Sequence, residues 1–378
     1  MTNIFAESPS WNTQVQTVAW GTLPTADNSS ITTDLAAWKK FQYLLQKSIT
    51  PSSPFTTDIV STYSLVYTVG GAYVGGILAP NGDIYFSPAN APVGQKISAA
   101  GVVSTYTLVY TVSIAYHGGV LAPNGDIHFC PMGAAVGQKI NSSGVVSTYS
   151  LVYTTTTDYA YQGGVLSPSG EVHFVPRSAP VGQKISSAGV VSTYSLVYTV
   201  SQAYAGGVLA PNGDIHFMAA NANRGQKISA ANVVSTYSLV YTTSSAYNGG
   251  VLAPNGDIHM VPFSATVGQK INSSGVVSTY SLIYTTSSSY VGGVLAPNGD
   301  IHFIPWNATV GQKINSSGVV STYSLVYTVA SSYQGGIIAP NGDINMIPNS
   351  ATLGQKISTM AAVSFEDGIC LSPWFNKL

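Results

Sequence analysis

Five histidines, His128, His173, His216, His259 and His302, each stand two residues after an acid: Asp126, Glu171, Asp214, Asp257 and Asp300. Residues two apart on a strand point to the same side of it. An acid beside an imidazole is a pattern that metal ligation and proton transfer both use. A metal, however, needs several ligands within about 2 Å of one ion. These pairs lie in separate units far apart along the chain, and Tyr85 and Asn345 take the same place in the first and last units. The expected role is therefore a buried polar side chain, bonded within or between units. Each unit also carries one lysine, Lys96, Lys139, Lys184, Lys227, Lys270, Lys313 or Lys356. These lysines and the repeated acids supply seven of the thirteen basic residues and seven of the fourteen acids, so they read as scaffold. Whether an acid and a lysine pair inside one unit is left open. No nucleophile–base pair, glycine-rich phosphate loop or metal-ligand spacing occurs. The expectation is a chain that is not an enzyme, with no catalytic residues, no metal and no cofactor.

The elements that position these residues are repeats of a PNGDI turn. Its glycines are Gly82, Gly125, Gly170, Gly213, Gly256, Gly299 and Gly342, spaced by 43 residues except for one step of 45. One copy reads as four antiparallel strands. Val102–Thr111 is a long β-branched and aromatic strand. Gly118–Pro123 and Asp126–Pro131 flank Asn124-Gly125, a strong type I′ hairpin signal. Gly137–Ile140 is a third strand. Four short strands repeated seven times indicate an all-β, seven-bladed β-propeller. The order outward from the axis is GGVLAP, DIHFxP, GQKI and VVSTYSLVYT, with the paired glycines at the crowded axis. The first outer strand, Ile59–Thr68, precedes any inner strand, and the last copy's own fourth strand is decayed. The first strand is expected to complete the last blade and close the ring, which removes an open edge. The expected domains are an arm and helix over 1–54, the propeller over 55–360 and a tail over 361–378. Thr33–Ser48 carries the helical pattern and suits a cap or an attachment device.

The segment GGVLAPNGDIHFxP resembles GGxLAPNG-type repeats, kelch-like in their paired glycines, of bacterial, eukaryotic and viral repeat proteins. Low charge (7% of residues), richness in Ser, Thr, Gly and Tyr, and the non-repetitive arm also resemble bacteriophage virion proteins. A formal net charge of −1 gives no footprint for nucleic acid. No apolar run is long enough for a membrane span, and Met1–Trp11 has no secretory signal pattern. Cys130 and Cys370 are no disulfide framework.

The copies differ mainly on one face. After the strand-ending Pro come Ala89, Met132, Arg177, Phe263, Trp306 and Asn349, with Ala220 as the equivalent in the fourth copy. Before the paired glycines come Val74, His117, Gln162, Ala205, Asn248, Val291 and Gln334. Arg224 stands alone where other copies have Val or Leu. The two turns of the other face scarcely change, so the diverse face is read as ligand-binding. Its candidate residues are Met132, Arg177, Phe263, Trp306, Asn349, His117, Gln162, Asn248, Gln334 and Arg224. The expected function is a noncatalytic structural or adhesion protein of a phage-like particle. Residues 1–54 would contact virion proteins, and the variable face would meet a glycan or protein receptor. The alternative is a cellular, cytoplasmic carbohydrate-binding or protein-interaction propeller.

Overall fold

The structure, a computed structural model, describes residues 58–155 and 159–359. The expectations for 1–54, for the decayed strand at 361–364 and for the tail lie outside the described residues. Seven four-stranded antiparallel sheets form a seven-bladed propeller. Blades 1 to 6 are each continuous in sequence. Blade 7 takes its inner three strands from Tyr333–Ile338, Ile344–Pro348 and Leu353–Ser358, and its outer strand from Ile59–Ser64. Ser61 lies opposite Lys356 and Ser64 opposite Leu353, so the first strand closes the ring as expected.

In blade 2 the strands are Tyr116–Leu121, Ile127–Pro131, Val136–Ile140 and Val146–Ser150, from the axis outward. The first glycine of each pair adopts a left-handed backbone, φ 72° at Gly118, and a bulge interrupts the ladder there. A Cβ on Gly75 would lie 3.1 Å from the Cα of Gly118, and one on Gly335 would lie 3.2 Å from that of Gly75. Seven glycines thus touch in a circle around the axis, where only a bare backbone fits.

Two sequence expectations are corrected. The PNG turn is not type I′. Gly125 N donates to Ala122 O at 2.9 Å and Ala122 N to Asp126 O at 2.8 Å, while only Gly125 takes positive φ, at 86°. This is a three-residue loop, a type I turn followed by a left-handed glycine. Pro123 is the reason: its ring fixes φ near −65° at the first turn position, where type I′ needs a positive value. The outer strand is also shorter than Val102–Thr111. In blade 1 it ends at Thr107, because its partner Val93–Ile97 is only five residues long. The chain then crosses to blade 2, where Val109 N and Tyr110 N donate to the buried Gln138 Oε1 at 3.0 and 2.8 Å. The same glutamine latch joins every blade to the next, including blade 7 to blade 1 through Gln95.

The cores lie between blades. Ile77 and Ala79 of blade 1 pack with Tyr116, Leu121, Ile127 and Phe129 of blade 2. Tyr116 is fully buried, and its hydroxyl donates to Val136 O at 2.9 Å. Gly137 makes room for Tyr149: a Cβ there would fall 2.2 Å from the tyrosine ring. Tyr149 therefore folds over the third strand and reaches His128 Nδ1 at 3.2 Å. His128, His173, His216 and His259 are the buried, bonded side chains expected of them, while His302 is buried with neither ring nitrogen hydrogen-bonded. The repeated acid and lysine pair within one blade, as in Asp126–Lys139 at 2.7 Å. At the closure, Asp58 stands where other copies have a turn glycine or asparagine. Its carboxylate reaches Lys313 of blade 6 at 2.7 Å, so the ring is tied across a blade boundary. Among the described residues there is no helix long and apolar enough to cross a membrane.

Candidate ligand-binding site at the axial mouth

Each inner strand carries its glycines to the axis, which delivers the preceding residue to the rim of the central opening. Val74, Ala205 and Val291 are apolar and buried there. The other four positions reach across. Gln162 Nε2 donates to Asn248 Oδ1 at 3.0 Å, and Gln334 Nε2 donates to His117 Nε2 at 2.8 Å. Each bridge skips one blade, and the skipped residue is the small Ala205 or the apolar Val74, which leaves space for it. Burial, aided by the nearby Arg177 charge, pushes the His117 pKa down to about 3. The imidazole is therefore neutral at ordinary pH and accepts the amide proton.

The residues after the strand-ending Pro form a second circle around the first. Arg177 donates to Gln162 Oε1, and to Gln202 Oε1 at 2.8 Å. Its guanidinium lies 5.1 Å from the centre of the Tyr159 ring, a cation–π distance. Burial lowers the Arg177 pKa, with Tyr159 opposing. Asn349 Nδ2 donates to Tyr73 O at 3.2 Å and to Gln334 Oε1 at 3.3 Å, which spans the closure from blade 7 to blade 1. Phe263 and Trp306 occupy equivalent places in blades 5 and 6 and are half-buried.

The structure thus brings His117, Gln162, Arg177, Asn248, Gln334 and Asn349 into one polar cluster, with Met132, Phe263 and Trp306 on the same circle. These positions are more enclosed than surface loops would be: Gln162 is 1% exposed and Met132 and Asn349 are 7% exposed. Arg224 stands apart. It opens the third strand of blade 4, is exposed, and stacks 5.0 Å over Tyr198, away from the mouth. Gln202 was missed in the sequence. The only signal was a long amide at a crossing-loop position that holds Ser, Ile, Gly or Tyr in other copies. Its left-handed backbone, φ 54°, helps aim the amide at Arg177. A shallow cavity of about 390 Å³ also opens beside blade 1, lined by Gly70, Asn90, Pro92 and Thr111–Ser113. The Asn90 carbonyl there is already taken by Ser113 Oγ and Ile114 N, at 2.9 and 2.8 Å.

No protein-family model matches the chain, and no curated protein matches it. Solved structures do. A streptogramin B lyase aligns with TM-score 0.70 at 18% identity, covering 81% of this chain and 99% of that one. Virginiamycin B lyase from Staphylococcus aureus, in a catalytically inactive form with quinupristin, aligns with TM-score 0.69 at 15% identity, covering 80% and 99%. The WD40 β-propeller domain of Doa1 aligns with TM-score 0.61 at 13% identity, covering 80% and 99%. At these identities the likeness is one of fold. These similar structures are neither kelch nor virion proteins. They also correct the expectation that the chain is not an enzyme. Structures of the same architecture and nearly the same extent include lyases, so a ring of near-copies is no ground for excluding catalysis.

Proposed function

We propose that this chain is a binding propeller whose axial mouth engages an external receptor, with a glycan as the first class to test. The observation that carries the reading is convergence. Apart from Arg224, the positions at which the copies break their pattern meet at one opening, with amides, an imidazole, a guanidinium and two half-buried aromatic residues on the same circle. Amides suit hydroxyl-rich ligands, and aromatic faces suit the apolar faces of sugar rings. Carriage on a phage-like particle through residues 1–54 is the further part of this reading. It rests on composition and on the non-repetitive arm.

The test is a glycan array probed with the full chain and with a Phe263→Ala, Trp306→Ala double variant. Wild-type binding to at least one glycan group is expected, and the double variant should bind at least about tenfold more weakly, since buried aromatic anchors contribute about 2 kcal/mol or more. Unchanged binding by the double variant would remove the mouth from consideration.

A further inference from the structure

Among the described residues, the mouth holds one fixed positive charge that no acid answers. Each repeat lysine has a carboxylate within 2.9 Å. Among the described residues, Arg177 makes no ion pair; it meets two neutral amide oxygens and the Tyr159 ring, and its buried Nε has no partner. An arginine keeps its charge at any working pH. A largely buried cation held only by neutral dipoles is poorly compensated, and an arriving anion would compensate it. The guanidinium sits beside the Gln162–Asn248 bridge, at the opening. His117 is neutral and adds no second charge. The local balance is therefore a single positive charge among amide groups, with Phe263 and Trp306 at the equivalent positions of blades 5 and 6.

Resting on the binding reading above, we propose that the axial mouth takes a ligand carrying a single carboxylate on a hydroxyl-rich body, an acidic sugar of the uronic type. The planar guanidinium fork matches a carboxylate. The surrounding amides meet hydroxyls, and the indole of Trp306 or the ring of Phe263 lies along a sugar face. One cation suits a monoanion better than a phosphate dianion, which draws on clustered cations.

The experiment is calorimetric titration of the full chain, at low ionic strength, with sodium glucuronate, glucose and sodium sulfate. It is repeated with R177Q and R177K. The expected result is glucuronate binding at least tenfold tighter than glucose or sulfate, lost about tenfold in R177Q and weakened less in R177K, which keeps the charge but not the fork. Because R177K keeps the charge, the larger loss in R177Q is not a folding defect; thermal melts of both variants check this. Equal affinity for glucuronate and glucose, or full binding by R177Q, overturns the carboxylate assignment while the array result still stands for the mouth. Sulfate binding as tight as glucuronate, or a wild-type chain that does not bind glucuronate, overturns it too.

Discussion

Acidification from pH 7 to pH 4.5 is expected to remove most of the ring's stability. Burial first, and then the neighbouring lysines, depress the pKa values of His216 and His259 to about 4. His128 and His173 are also depressed to about 4, by burial against the pull of Asp126 and Glu171, and His302 to about 3. In the unfolded chain a histidine titrates near 6.5. Between the two values the unfolded state binds more protons, so stability falls as pH falls. The contribution is complete above about pH 6.5 and is lost progressively toward pH 4. A fall from near 6.5 to about 4 corresponds to roughly 3 kcal/mol per histidine. Several such losses together rival the whole stability of an ordinary domain, about 5–15 kcal/mol. Asp214 acts later. Desolvation alone would raise the Asp214 pKa, but the hydrogen bond and charge of Lys227 outweigh it and hold the group below its usual range. That contribution is lost only below the ordinary carboxylate pKa. Melting followed by near-ultraviolet circular dichroism from pH 8 to pH 4 checks this. H216N and H259N borrow the residue that blade 7 carries as Asn345, and they should flatten the profile. A melting temperature level down to pH 4.5 would contradict the assignment of these imidazoles as neutral and buried.

Gln138→Ala is expected to cost about 2–4 kcal/mol, a large effect for a polar residue that makes no ion pair. The substitution strands two backbone donors, Val109 N and Tyr110 N, and leaves a void where a fully buried side chain lay. The effect belongs to the contact between blades 1 and 2. Hydrogen exchange should speed at the Val109 and Tyr110 amides but not at the turn amides of Ala122 and Gly125. A loss of under about 0.5 kcal/mol in denaturant melts would show that water replaces the latch without penalty.

The latch also marks the limit of what the sequence made legible. Blade number, strand order, the axial glycines and ring closure all follow from periodicity and from an outer strand that precedes its blade. The glutamine was as regular as the glycines, but regularity alone did not separate a latch from any other strand residue. Its partners lie 28 and 29 residues away, in the preceding blade. The PNG turn was misread because Asn-Gly outweighed the proline before it. The variable positions were legible as a set, yet their meeting at the axis was not. The Gln162–Asn248 and His117–Gln334 bridges join blades that are not neighbours, 86 and 217 residues apart. Arg224 was grouped with them by its singularity, and distance from the axis separates it.

Closure assembles the mouth: Asn349 meets Tyr73, and Gln334 meets His117, only when the first strand completes the last blade. Ser64 and Leu353 are both exposed and face each other across that seam. In an S64C, L353C double variant with Cys370 replaced by serine, air oxidation should give one intramolecular disulfide, seen as a faster monomer band on a non-reducing gel. Free thiols at both positions, or disulfide-linked dimers alone, would contradict a ring closed within one chain.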